Sequence, residues 1–252
     1  AGINAMGLTG PIALLNSTNT GNTAVDRNEE WNGSTWSEAS DNNISRALPG
    51  AAGTVNDALF FGGYTGTPAW YGASKGDTEE YNGTNFSEVN DMIIPRRTMQ
   101  SAGLTGNAAL AIGGYKDGNH NPTGNPAATP TMDCNVEVWN GTNWADDGQV
   151  PVSVRRGAAA GSTESAIVFG TNFNKTETYE WNGSSWSEGG AHPSRQDVGG
   201  GGSSNDAISF GSYPASSEAA TYDGSTWSET GDTIVSNGFT GMGANQQAAS
   251  TA

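Results

Sequence analysis

The chain has 252 residues, a formal net charge of −16, and 34% hydrophobic but only 14% charged residues. That length suits one large domain or two small ones, and so acidic a balance excludes broad binding to phosphate backbones. Its 37 glycines, with Asn, Ser and Thr clustered between them, favour turns over helices, so many short strands are expected.

In chain order, "AMGLTGPIALLN" (5–16) is a worn copy of a block seen intact further on. "EEWNGSTWSE" (29–38) follows, then "AAGTVNDALFFGG" (51–63) and "EEYNGTNFSE" (79–88). The pair returns as "SAGLTGNAALAIGG" (101–114) with "VWNGTNWAD" (138–146), and as "AAGSTESAIVFG" (159–170) with "EWNGSSWSE" (180–188). A last pair is "GGGSSNDAISFG" (200–211) with "TYDGSTWSE" (221–229), and "SNGFTGMGANQQAAS" (236–250) reads as the start of another. The motif aromatics Trp31, Tyr81, Trp139, Trp181 and Tyr222 are spaced by 50, 58, 42 and 41 residues. A Gly-rich period of this size indicates a propeller-type array.

Each unit reads as four strands. The Ala/Gly-rich stretch is innermost, where small side chains let neighbours converge. The apolar run is second, covered on both faces. The stretch ending in the motif aromatic is third, and Trp36, Phe86, Trp144, Trp186 and Trp227 open the fourth. Asn-Gly, or Asp223-Gly224, is a strong hairpin signal because both residues tolerate the backbone angles of a tight turn, and the flanking aromatics supply area for packing between sheets. Several of these strings also match the N-glycosylation pattern, but turn formation accounts for all of them.

The fold class expected is all-β: a single domain, 1–252, of four-stranded antiparallel blades. Repeats fall at 1–40, 41–90, 91–147, 148–189 and 190–231, with a half repeat at 232–252. Five blades are expected and six are the alternative. The surplus C-terminal strands could close the ring or pair with another chain, which makes an oligomer through terminal strands an expectation. No apolar run is long enough for membrane insertion and no signal peptide is evident. A start at Ala1 suggests a processed chain or part of a longer one. Cys134 is the only cysteine, so no intrachain disulfide forms, and with two distant histidines it makes no structural zinc site. It is expected to pack as a small apolar strand residue.

The sequence "FFGG", then "EEYNG", then Trp or Phe, resembles kelch repeats. The wording "WNGSTWSE" with "GLTGNAALAIGG" upstream resembles more closely the kelch-like repeats of marine bacteriophage proteins, cyanophages especially, where they sit in virion and tail-fibre proteins. The resemblance covers nearly the whole chain. Repeats four and five depart from it, with "FGT" and "FGS" in place of the double Gly, and the first repeat lacks the double Gly. The resemblance implies a virion location and a structural, decoration or fibre role.

Two asymmetries mark where binding is expected. From the Gly ending the second strand to the motif aromatic there are 19 residues in the second repeat, 26 in the third and 11 in the fourth and fifth. Such insertions map to one face of an array. They carry Trp70, Tyr71, Lys116 and His120, and an aromatic pair suits sugar stacking or protein contact. Six of the seven arginines, Arg46, Arg96, Arg97, Arg155, Arg156 and Arg195, precede inner strands. By the kelch resemblance this is the mouth of the central channel. The group would either bind an anion bidentately or pair with acids such as Glu38, Glu88 and Glu188.

No catalytic constellation, metal site or cofactor is expected. A copper oxidase would need a Tyr–Cys pair and two histidine ligands, and Cys134, His120 and His192 have no such context. A sialidase-like hydrolase is a foil, since "TYDGSTW" (221–227) approaches its Asp turn but lacks one residue. The reading is a non-catalytic attachment module whose partners are other virion proteins or a host-surface glycan or receptor, without nucleic acid. The alternative is a secreted bacterial carbohydrate-binding propeller.

Overall fold

The computed structural model describes residues 2–5, 26–31, 34–65, 73–116, 131–171, 176–193, 195–234 and 236. Among them the chain is all-β, without a helix, and each sheet is followed in the chain by the next. The first sheet holds β1 (Gly2–Ala5), β2 (Asn28–Trp31) and β3 (Trp36–Glu38). The second holds β4 (Gly50–Thr54), β5 (Asp57–Phe61), β6 (Thr78–Tyr81) and β7 (Phe86–Val89). The third holds β8 (Arg96–Arg97), β9 (Gln100–Thr105), β10 (Ala108–Lys116), β11 (Thr131–Trp139) and β12 (Trp144–Gln149). The fourth holds β13 (Ala158–Gly161), β14 (Ala166–Phe169), β15 (Tyr179–Trp181) and β16 (Trp186–Glu188). The fifth holds β17 (Gly199–Ser203), β18 (Asp206–Phe210), β19 (Ala219–Tyr222) and β20 (Trp227–Thr230). All strand pairs are antiparallel.

In the first sheet the strand beside β2 is Gly2–Ala5, which ends where the worn copy at 5–16 begins. Gly2 faces Trp31 as Ala58 faces Tyr81, so β1 holds the second-strand position. Residues 6–25, with most of the worn repeat copy, lie outside the described residues, as do 237–252.

The second strands β5, β10 and β14 are apolar because both their faces are covered: Leu59, Phe60, Phe61, Leu110, Ile112, Ile167 and Phe169 are all fully buried. The first strands are small because they sit against one another. β4 lies beside β9, β9 beside β13, and β13 beside β17. A Cβ on Gly200 would meet the Phe169 ring at 2.7 Å, so the close approach requires glycine.

Before each of these strands the chain turns through a left-handed residue: Leu48, Thr98, Arg156 and Asp197, with φ of 52–56°. Backbone bonds join these corners across sheets. Thr98 N–H donates to Leu48 O, and Arg156 N–H donates to Thr98 O, each at 3.2 Å. The strained corner is tolerated because both neighbouring sheets hold it.

The aromatic hairpins bind sheet to sheet as expected. Phe61 of the second sheet packs edge-on against Trp144 of the third at 4.8 Å, and Phe169 of the fourth packs on Trp227 of the fifth at 4.7 Å. Tyr81 donates its hydroxyl to Glu30 of the preceding sheet, and Tyr222 does the same to Glu180. Burial, then the carboxylate bond, pushes both phenols up to about 12.

The turn differs from a two-residue Asn-Gly hairpin. Each aromatic pair is closed by four residues, with Asn82 N–H donating to Asn85 O. In the described turns only the glycines take positive φ, 87° at Gly83 and 88° at Gly183. The asparagine acts through its side chain: Asn82 Oδ1 accepts the N–H groups of Thr84 and Asn85 at 3.0 and 2.9 Å. A side-chain acceptor for two otherwise unpaired donors serves the loop better than a second left-handed residue.

Candidate binding face

The loops between second and third strands and the segments leading into the next sheet share one end of the molecule. Gly62 N–H donates to Asp77 O, Gly63 N–H to Arg96 O, and Gly114 N–H to Val154 O. The paired glycines take positive φ (65° and 90° at Gly62 and Gly63), which a side chain would strain, and a Cβ on Gly63 would meet Ala47 O at 2.7 Å.

Here the six arginines divide into two groups. Arg46 and Arg96 face inward and are fully buried. Arg46 donates to Glu79 at 2.5 Å and to the carbonyls of Gly62 and Asp77. Arg96 donates to Glu137 at 2.8 Å and to the carbonyls of Gly113 and Asn135. Burial pulls both guanidinium pKa values down, and the facing glutamates oppose it. Their partners are Glu79 and Glu137 on third strands, whereas Glu38, Glu88 and Glu188 lie exposed on fourth strands. Enclosed and neutralised in this way, these two arginines offer no surface to an external anion. The third-strand acid is legible only from register: it stands two residues before the motif aromatic. In the fourth sheet the equivalent positions are Val154 and Tyr179, which share one apolar cluster.

Arg97, Arg155 and Arg195 are also buried, each 7% exposed, and Arg156 is half-buried. Arg97 stands over the Tyr64 ring at 5.7 Å and the Tyr115 ring at 5.9 Å, and donates to Ser74 Oγ at 2.7 Å. Arg155 covers Tyr115 at 4.7 Å and donates to Met132 Sδ at 3.3 Å. Arg156 approaches Asp197 at 3.8 Å, and Arg195 pairs with Glu218 and Glu229 at 3.1 and 3.3 Å. Burial raises the Asp197 carboxyl, with Arg156 and Arg155 opposing. Lys116 pairs with Asp133 at 3.0 Å. Tyrosine and guanidinium thus alternate along this end, with Arg97 and Arg155 stacked on rings that fix their planes.

Trp70, Tyr71 and His120 lie outside the described residues. The positions flanking their segments, Thr65 and Ala73, then Lys116 and Thr131, belong to this same end. Tyr64 and Tyr115 were missed by sequence reasoning. The signal was present, since each follows the double glycine ("GGY"), and Tyr213 follows "GS". Met132 and Tyr213 are exposed here. His192 is buried between Phe169 and Trp227, with Nε2 2.9 Å from Ser209 Oγ. Cys134 is a half-buried residue of β11.

Among the described residues no group of three His, Cys, Asp or Glu could hold a metal ion, and no helix is long and apolar enough to cross a membrane. No protein-family model matches the chain, and no curated protein matches it.

Proposed function

We propose that the chain is a kelch-like β-propeller serving as a non-catalytic attachment module of a virion. The observation that carries the fold is the succession β4, β9, β13, β17, in which each first strand lies beside the next while its sheet extends away. On this reading each sheet is a blade and the left-handed corners ring the channel mouth. The alternative of five or six blades turns on whether residues 237–252 add a strand to the ring.

The attachment face proposed is the end where Met132 and Tyr213 are exposed and where the chain enters and leaves the two long inserts with Trp70, Tyr71, Lys116 and His120, over a buried layer of Tyr64, Arg97 and Arg155. Aromatic anchors bind at low entropic cost, which suits a protein or glycan surface. A virion location rests on the resemblance of "WNGSTWSE" and its upstream block to phage repeats. The test is a glycan array of neutral and acidic sugars probed with the parent and with Trp70→Ala/Tyr71→Ala. Loss of about 2 kcal/mol of binding is expected with the melting temperature unchanged. Full binding by the folded double variant would remove the inserts from the contact.

A further inference from the structure

We propose that Asn82, Asn140 and Asn182 are slow deamidation sites whose aspartate product the turn accepts without loss of fold. Each precedes a glycine (Gly83, Gly141, Gly183) and is exposed. Glycine leaves its own backbone nitrogen unshielded. That nitrogen attacks the asparagine Cγ, a C–N bond forms, and Nδ2 leaves as ammonia with the proton the glycine nitrogen gives up. Water then opens the resulting succinimide at one of its two carbonyl carbons, giving aspartate or isoaspartate.

The structure sets both rate and outcome. The side-chain oxygen of each asparagine is held by the N–H groups two and three residues on, at 3.0 and 2.9 Å in all three turns. The amide must leave both donors before it can be attacked in the open geometry, so the folded chain reacts slowly. The product is already present in the fifth turn. Asp223 Oδ1 accepts Ser225 N–H at 2.9 Å and Thr226 N–H at 2.7 Å, and the hydroxyls of Ser225 and Thr226 add bonds at 2.9 and 3.1 Å. A carboxylate therefore takes the same donors with charge assistance. Isoaspartate lengthens the main chain by one carbon and shifts those donors out of reach. These turns lie at the opposite end from the arginine–tyrosine face, so ageing adds negative charge away from it.

The experiment holds the folded protein and a urea-unfolded sample at mildly alkaline pH and follows each site by peptide mass spectrometry. Asn82→Asp/Asn140→Asp/Asn182→Asp is melted beside the parent. Conversion several-fold slower in the folded sample, with the triple variant melting at or above the parent, is the expected result. An equal or faster folded rate, or no folded conversion by the time the unfolded sample is complete, overturns the proposal. So does a triple variant that melts below the parent.

Discussion

Trp144 reaches out of its own sheet and donates its indole N–H to Thr78 Oγ1 of the preceding sheet at 3.0 Å. Trp227 does the same to Thr178 at 2.9 Å. Both threonines stand three residues before a motif aromatic in the order of their repeats, and at the equivalent place before Trp139 the chain carries Val136. The tryptophan that faces it, Trp186, is left with a buried Nε1 that has no partner. The inter-sheet bond thus joins the second sheet to the third and the fourth to the fifth, and is missing between the third and fourth although the tryptophan is present.

Thr78→Val should cost about 1–3 kcal/mol, because it strands the buried Trp144 donor. Val136→Thr should be neutral or stabilise by up to about 1 kcal/mol, since it supplies Trp186 with an acceptor at unchanged volume. Urea unfolding of both variants checks the pair. A destabilised Val136→Thr would show that its hydroxyl does not reach Trp186.

The buried ion pairs predict a sharper asymmetry. Glu137→Ala leaves Arg96 charged and enclosed and should cost about 3–5 kcal/mol. It also removes the acceptor of the Ile93 and Ile94 N–H groups. Arg96→Val with Glu137→Tyr copies the fourth sheet's Val154 and Tyr179 and should recover most of that loss. Denaturant melts of the single and double variants decide it, and an additive double variant would contradict the interchange.

His192 predicts a pH dependence. Burial, then nearby Arg195, lowers its pKa from 6.5 to about 3. Above pH 6.5 the ring is neutral folded or unfolded, but between 6.5 and about 3 only the unfolded chain binds the proton. Stability therefore falls as pH falls through that window, by about 1.4 kcal/mol per unit at most. His192→Met, the residue at the equivalent Met92, should flatten this part of the profile. Parallel profiles for parent and variant would exclude His192 as the cause.

Asn182→Ala with Gly183→Ala should destabilise by about 1–3 kcal/mol. The first loses the acceptor for Ser184 and Ser185, and the second forces a side chain to φ 88°. Thermal melts check it, with unchanged stability counting against the side-chain account of the turn.

Local chemistry made much of this protein legible in its sequence. Alternation of Ala/Gly runs, apolar runs and aromatic–Asn-Gly–aromatic strings marks strand order and pairing, because strand, turn and cross-strand pair are set by neighbours in the chain. "FFGGY" and "AIGGY" stand out as repeated strings, but the close backbone approaches at Gly63 and Gly114 came from the structure. What tertiary structure alone decided is which like residues differ in fate. Arg96 and Arg97 are adjacent and chemically identical, yet one is sealed against Glu137 and the other stacks on Tyr64 and Tyr115. Successive residues on a strand point to opposite faces, and whether each face meets a carboxylate or a ring depends on strands dozens of residues away. The same holds for Trp144 and Trp186: their hairpins look alike, and only the neighbouring sheet supplies a threonine to one and a valine to the other.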